Sequence, residues 1–125
     1  MRNYDNEFIK MAEQISKKST MHYHLGTLIV SKKYIISFGF NRFSGLNSYH
    51  IFGNKWSIHA EADALRKALP YIHDNPTAKL TAYVARTGKK NARPCSNCMK
   101  LLSPYIDRFV YTIGGEIVEE FNRED

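Results

Sequence analysis

The spacing of hydrophobic residues predicts a helix at the start of the chain and a β-hairpin after it. Within residues 5–18, apolar side chains recur at the interval of one helix face, and Asp5 stands where an N-cap is expected. Two apolar, β-branched runs follow at 25–30 and 34–40, separated by a short polar connection that is typical of a hairpin. We therefore expect an amphipathic helix packed on one face of a sheet.

Two short helices are predicted in the second half of the chain. Residues 59–69 are rich in alanine and leucine, with Ser57 as the expected cap and Pro70 as the expected end. Residues 95–102 form a second short helical segment, which Pro104 closely follows. Both segments are amphipathic enough to cover a sheet.

Three further strands are predicted at 80–86, 108–112 and 116–121. The last two are separated by little more than Gly114-Gly115, which is typical of a tight turn between antiparallel strands. A parallel pair would need a crossover of about a dozen residues, and the chain has no room for one there. We therefore expect the last two strands to be antiparallel.

Length and composition are those of one globular domain, which we assign to residues 1–125. The 43% hydrophobic and 24% charged content is ordinary, and no apolar run approaches the ~18 residues of a membrane span. Charged residues among the first ten argue against a secretory signal. Both cysteines fall in one short motif, which favours metal thiolates in a reducing compartment over a disulfide. A cytoplasmic protein without a membrane partner is expected.

The positive charge of the chain is unevenly distributed. Of 18 basic and 12 acidic residues, the last ten positions hold one and five, so the first 115 carry 17 bases and 7 acids. This excess favours an anionic partner, either a nucleotide phosphate or a nucleic-acid backbone. The alternative is that the charge serves only solubility.

One pattern in the chain carries specific metal chemistry. The segment His59-Ala60-Glu61 is followed further along by Pro94 and then by Cys95 and Cys98. One imidazole and two thiols suffice as protein ligands for a catalytic zinc, which keeps its fourth position for water. Cysteines three apart on one helical turn point the same way, and Glu61 is placed to move protons beside the metal. This combination is the signature of zinc-dependent deaminases, and a purely structural zinc site is the alternative.

Between Tyr34 and Tyr111 the chain resembles the cytidine deaminase superfamily. The resemblance rests on FGFN at 38–41, HAEADAL at 59–65 and PCSNCMKLL at 94–102. It implies a three-layer α/β/α sandwich with a mixed five-stranded sheet, one Zn²⁺ per chain and a homo-oligomer. The activity that it implies is hydrolytic deamination of a cytosine nucleoside or nucleotide to the uracil form, with release of ammonia.

Glu61 is the catalytic residue in this interpretation. It takes a proton from water that the zinc activates, delivers it to ring N3 and carries another to the leaving amino group. Two other activities stay open, namely a deaminase acting on a base in single-stranded nucleic acid or tRNA and a deaminase of another base such as guanine. A zinc-containing binding module without activity is disfavoured because Glu61 is present.

Five further residues are predicted to contact the substrate. In the superfamily the position of Asn41 supplies an amide that hydrogen-bonds a sugar hydroxyl, although a turn asparagine is the alternative. Phe40 and Ala60 adjoin Asn41 and the zinc motif, and Trp56 belongs to a long aromatic loop that would stack on the base or wall the pocket. Arg93 belongs to a basic run that would suit a phosphate or would simply be solvated.

Two features of the resemblance disagree about the substrate. An antiparallel final strand pair is typical of the branch that acts on free nucleosides. A histidine as the first zinc ligand, here His59, resembles the nucleotide and nucleic-acid branches instead. The expected partner is therefore a small pyrimidine nucleoside or nucleotide, with nucleic acid as the second choice.

Overall fold

A computed structural model describes residues 4–43, 53–54, 57–88 and 91–122. These residues form three helices and eight strands. The helices are α1 (Asp5–Ser16), α2 (Ala60–Asp74) and α3 (Ser96–Leu102). The strands are β1 (Leu25–Ser31), β2 (Tyr34–Phe40), β3 (Arg42–Phe43), β4 (Gly53–Asn54), β5 (Ser57–Ile58), β6 (Leu80–Arg86), β7 (Arg108–Ile113) and β8 (Glu116–Phe121).

The central sheet has five strands in the order β2-β1-β6-β7-β8. Only β6 and β7 are parallel, and the crossover between them carries α3. The other neighbouring pairs are antiparallel, including the hairpin β1–β2 and the final pair β7–β8. The predicted mixed five-stranded sheet and its antiparallel ending are therefore confirmed. A small second sheet of two-residue strands, β3-β5-β4, lies between β2 and α2 along the chain.

Helices cover both faces of the central sheet. On one face, Phe8, Ile9 and Ala12 of α1 pack with Leu28 and Tyr83 of the sheet. The other face carries α2 and α3, whose buried residues join sheet residues in one continuous core: Ile29, Ala64, Leu65, Ala68, Leu80, Ala82, Val84, Leu102, Ile106 and Phe109. This arrangement confirms the predicted three-layer sandwich. None of the described helices is long and apolar enough to cross a membrane.

Gly39 lets the start of α2 lie directly on β2. A Cβ atom at this position would come within 2.4 Å of the carbonyl oxygen of Ala60 and 2.6 Å of the nitrogen of Ala64. No side chain fits in that gap, so a larger residue would push the helix off the strand. The contact matters for function because His59 immediately precedes this helix and moves with its first turn.

Three predicted helix boundaries are wrong in detail. The N-cap of α1 is Tyr4, without a side-chain cap, because Asp5 is instead drawn into a buried ion pair. The N-cap of α2 is His59 and not Ser57, which lies in β5. Helix α2 also continues past Pro70 to Asp74, although proline leaves one carbonyl of the preceding turn without a partner.

The last turn of α2 persists because its apolar side chains are packed. Leu69, Tyr71 and Ile72 lie against the core beneath the helix. Burial of three such side chains outweighs the ~3 kcal/mol that an interior proline costs. Pro70 does locally disfavour continuation of the helix, but tertiary packing determines where α2 ends.

A buried polar network ties α1 to the sheet. The carboxylate of Asp5 accepts hydrogen bonds from the Tyr83 hydroxyl at 2.6 Å and from the guanidinium of Arg108. Arg108 also donates to Glu119 of β8. Because Asp5 and Arg108 are 1% and 2% exposed, each charge depends on the other for compensation.

Replacement of Arg108 should therefore destabilise the fold strongly. We expect Arg108→Met to lower the free energy of unfolding by about 3–5 kcal/mol, since it leaves the Asp5 carboxylate buried without its cation. The matched control is Arg66→Met, which removes a half-exposed guanidinium from Asp63 while Arg42 and Lys67 still pair with that carboxylate, and it should cost at most about 1 kcal/mol. Urea denaturation measures both, and equal losses in the two variants would contradict this account of the network.

Candidate metal centre and active site

His59, Cys95 and Cys98 come together at the starts of two neighbouring helices. His59 is the N-cap of α2, Cys95 is the N-cap of α3, and Cys98 lies in the first turn of α3. The Nδ1 atom of His59 lies 3.2 Å from Sγ of Cys98 and 3.9 Å from Sγ of Cys95. The three ligand atoms all lie within 4.8 Å of one another.

This spacing fits a tetrahedral zinc ion. Nitrogen and sulfur atoms bound to one tetrahedral zinc at 2.0–2.3 Å lie about 3.5–3.8 Å apart, and the two nitrogen–sulfur distances bracket that range. An imidazole with two thiols is also a donor set that zinc prefers. Among the described residues the site has three protein ligands, which is the ligand number of a catalytic zinc site, whereas a closed structural site has four.

Glu61 lies beside His59 and Cys98 but is not one of the three grouped ligands. Its side chain is 3% exposed, and its Oε1 atom has no hydrogen-bond partner among the described residues. Burial raises the pKa of the Glu61 carboxyl, and the nearby His59 offsets this rise only in part. A buried carboxylate oxygen without a partner is rare in a finished fold, and here it is available to water or substrate.

The Cys98 thiol also needs a cation to ionise. Burial, followed by the charges of Glu61 and Cys95, raises the pKa of the Cys98 thiol far above its usual range. Without a metal the thiol therefore stays protonated at neutral pH. Binding of a divalent ion would release this proton, so metal affinity should fall as the pH is lowered.

Asp63 of α2 anchors β3, which pairs with the strand β5 that directly precedes His59. It is fully buried, and both its oxygens accept hydrogen bonds from Arg42 of β3, at 2.6 and 2.9 Å. Arg66 and Lys67 add further ion pairs at 3.2 Å each. Burial alone would raise the pKa of Asp63, but the hydrogen bonds from Arg42 and Lys67 outweigh burial and lower it. Sequence reasoning missed this anchor, although the spacing of Asp63, Arg66 and Lys67 along one helix face is visible in the sequence.

The amide of Asn41 is occupied by the backbone. Its Oδ1 atom accepts from the N–H of Leu25, and its Nδ2 atom donates to the carbonyl of Tyr23, both at 2.8 Å. The side chain is 2% exposed. Asn41 thus holds the segment before β1 in place, and its predicted contact with a sugar stays a prediction.

The other predicted substrate contacts lie in different settings. Ala60 is fully buried in the first turn of α2, beside the ligand His59. Phe40 is partly buried at the end of β2, with the Arg42 guanidinium 5.3 Å from its ring centre. Trp56 lies outside the described residues.

Arg93 is engaged by an acidic residue. Its guanidinium donates two hydrogen bonds to Glu120 of β8, at 2.7 and 3.2 Å. This contact raises the pKa of Arg93 and lowers that of Glu120. This bidentate pair neutralises the positive charge of Arg93, a residue predicted from the sequence to contact a phosphate. Lys89 and Lys90, from the same basic run, lie outside the described residues.

The fold and the site together define an α/β/α domain with a ligand set that suits zinc. Residues 2–113 match the model of the family described as the cytidine and deoxycytidylate deaminase zinc-binding region. The chain belongs to this family. It is accordingly a zinc-binding domain of a hydrolase family, and the ligand cluster described above is where a zinc ion fits.

Solved structures share the fold. A cytidine deaminase from Burkholderia pseudomallei has a TM-score of 0.70 and 18% identity over 98% of this chain and 94% of its own. A dCMP deaminase from the cyanophage S-TIM5 has a TM-score of 0.65 and 20% identity over 89% of this chain and 84% of its own. A cytidine deaminase from Mycobacterium tuberculosis has a TM-score of 0.59 and 14% identity over 94% and 89%. No curated protein matches the chain closely.

Proposed function

We propose that the protein catalyses hydrolytic deamination at C4 of a cytosine nucleoside or nucleotide, giving the uracil form and ammonia. The observation that carries the proposal is the buried Glu61 carboxylate beside the cluster of His59, Cys95 and Cys98, because its Oε1 atom has no hydrogen-bond partner in the described part of the chain. A structural zinc site would need no such group. An acid–base residue next to a metal with an open position is what hydrolysis of an amino group requires.

The protein residues have separate tasks in this reaction. When bound, zinc would lower the pKa of a water molecule toward neutrality. Glu61 accepts the proton of that water as oxygen attacks C4, and it passes the proton to ring N3. It then moves the second proton to the amino group, which leaves as ammonia. A raised pKa suits Glu61 to this work, because a carboxyl group that both accepts and donates protons works best near neutral pH.

The two thiolates match the site to an uncharged base. Cys95 and Cys98 would together offset the +2 charge of zinc, so that a neutral cytosine ring can enter without a counter-ion. His59 is neutral when it acts as a ligand and leaves this balance unchanged.

The similar solved structures include enzymes named for nucleoside and for nucleotide substrates. The cyanophage dCMP deaminase is known in complex with dCMP and dUMP, which are nucleotides, whereas the Burkholderia protein is a cytidine deaminase. Within the chain, the antiparallel β7–β8 pair favours a free nucleoside and His59 as a ligand favours a nucleotide. We include both in the proposal. A cytoplasmic location and a homo-oligomer stay predictions.

Release of ammonia across a substrate panel tests the proposal. The zinc-loaded protein is incubated with cytidine, deoxycytidine, their monophosphates, adenosine, guanine and a short single-stranded oligonucleotide containing cytosine. We expect ammonia from cytosine compounds and none from adenosine or guanine. Turnover of guanine or adenosine alone would overturn the choice of base. Release of ammonia from the oligonucleotide alone would favour the nucleic-acid deaminase instead.

A further inference from the structure

Arg86 differs from the other arginines in the described part of the chain. Four of these five arginines form ion pairs with carboxylates, namely Arg42, Arg66, Arg93 and Arg108. Arg86 forms no ion pair with any described residue. Its side chain is only partly exposed. A guanidinium that is partly removed from water and lacks a carboxylate partner is available to bind an anion from outside.

The side chain of Arg86 lies on the same face of the sheet as the zinc-ligand helices. Alternate residues of a strand point to opposite faces, and Ala82 and Val84 of β6 pack in the core beneath α2 and α3. Arg86 continues this series. Its neighbour Thr87 points the other way, since its hydroxyl lies 2.6 Å from that of Ser16 in α1.

Arg86 also lies at the same end of the sheet as the metal ligands. It pairs with Leu25 of β1, and on the other side of β1 the adjacent Gly26 pairs with Phe40 at the end of β2. Two strand spacings put Arg86 ~10 Å across the sheet from that end, where Gly39 contacts the first turn of α2. The ligand His59 immediately precedes that turn, so Arg86 and the ligand cluster lie at the same end of the sheet.

The guanidinium of Arg86 lies over the aromatic ring of Tyr23. The Cζ atom of Arg86 lies 5.3 Å from the centre of the Tyr23 ring. The backbone of Tyr23 is held by its carbonyl, which accepts the hydrogen bond from Asn41. Stacking uses the flat face of the guanidinium and leaves the N–H groups on its edge free for oxygen atoms.

We propose that Arg86, stacked on Tyr23, binds the phosphate group of the substrate and selects a phosphate ester over the free nucleoside. The inference rests on the proposed function, and it assigns the phosphate contact to a residue other than Arg93, whose guanidinium is held by Glu120. The phosphate belongs either to a mononucleotide or to a single-stranded polynucleotide. Both offer the same anionic oxygens to the guanidinium.

Equilibrium binding of product-like ligands tests this independently of turnover. The zinc-loaded protein is titrated with deoxyuridine, dUMP and a short single-stranded oligonucleotide with a deoxyuridine, using calorimetry. We expect dUMP or the oligonucleotide to bind more tightly than deoxyuridine. Arg86→Gln should weaken the binding of the tighter phosphate ligand by about tenfold to a hundredfold, and the binding of deoxyuridine by less than about twofold. Arg86→Lys should retain part of the advantage, and Tyr23→Ala should lose part of it.

The matched control is Lys10→Gln, which removes one positive charge from an exposed position on α1, on the opposite face of the sheet, and should leave all three affinities unchanged. Tighter binding of dUMP would identify a mononucleotide as the source of the phosphate. Tighter binding of the oligonucleotide would identify a polynucleotide as the source. Equal binding of deoxyuridine and its phosphates, or equal weakening by Arg86→Gln and Lys10→Gln, would overturn the inference. Selective loss in Arg86→Gln without deamination of any cytosine compound would instead refute the proposed function and leave the phosphate contact standing.

Discussion

Glu61→Gln should lower kcat by about 10²–10⁴-fold while the protein keeps its zinc and its fold. Glutamine preserves the shape of the side chain but cannot accept a proton from water or deliver one to the ring. General acid–base catalysis is typically worth ~10²–10⁴-fold, or about 3–5 kcal/mol of the barrier, and here one group serves several transfers. The loss should therefore lie toward the upper end of this range.

The comparison requires a variant with full zinc content and an unchanged melting temperature. Glu7→Gln is the matched control, because it neutralises an exposed carboxylate on α1, on the opposite face of the sheet, and should leave kcat unchanged. A zinc-loaded Glu61→Gln protein that retains more than about a tenth of the kcat would show that Glu61 does not carry the protons.

Loss of either cysteine should abolish zinc binding. We expect the purified protein to contain one zinc ion per chain, and Cys95→Ala or Cys98→Ala to weaken zinc binding by more than about 100-fold. Residues that only support a ligand already cost 10–100-fold when removed, so a direct ligand should cost more. The variants should also melt at lower temperature, because the free energy of metal binding contributes to folding.

Metal analysis after dialysis measures the effect. The control is His73→Ala, because His73 is an exposed histidine at the end of α2 and lies outside the ligand cluster. Full zinc occupancy in both cysteine variants would refute the assigned ligands.

The elements of the fold could be predicted because each has a local signal. The hairpin β1–β2, the tight turn at Gly114-Gly115 and the short helix after Cys95 all follow from apolar periodicity and turn residues. The end of α2 could not be predicted in this way. Proline at position 70 gives a local stop signal, and only the packing of Tyr71 and Ile72 against the core overrides it.

The zinc site could be predicted from two short motifs, whereas its surroundings could not. The convergence of His59 and Cys98 follows from a pattern that zinc chemistry restricts to few residue types. The pairing of Arg42 with Asp63 and of Arg93 with Glu120 joins residues 21 and 27 positions apart, and no spacing rule connects them. These long-range pairs determine which basic side chains remain available to a phosphate. They therefore favour Arg86 over Arg93 as the phosphate contact.

Reaction in water enriched in the heavy oxygen isotope tests the central claim most directly. The zinc-loaded protein is incubated in this water with the best cytosine substrate from the panel, and the product is analysed by mass spectrometry together with ammonia. We predict a uracil product that carries one heavy oxygen atom at C4, one ammonia per product molecule, and no product above background when zinc is removed. A fully zinc-loaded protein that leaves every cytosine compound unchanged, or a product without heavy oxygen at C4, would contradict the account.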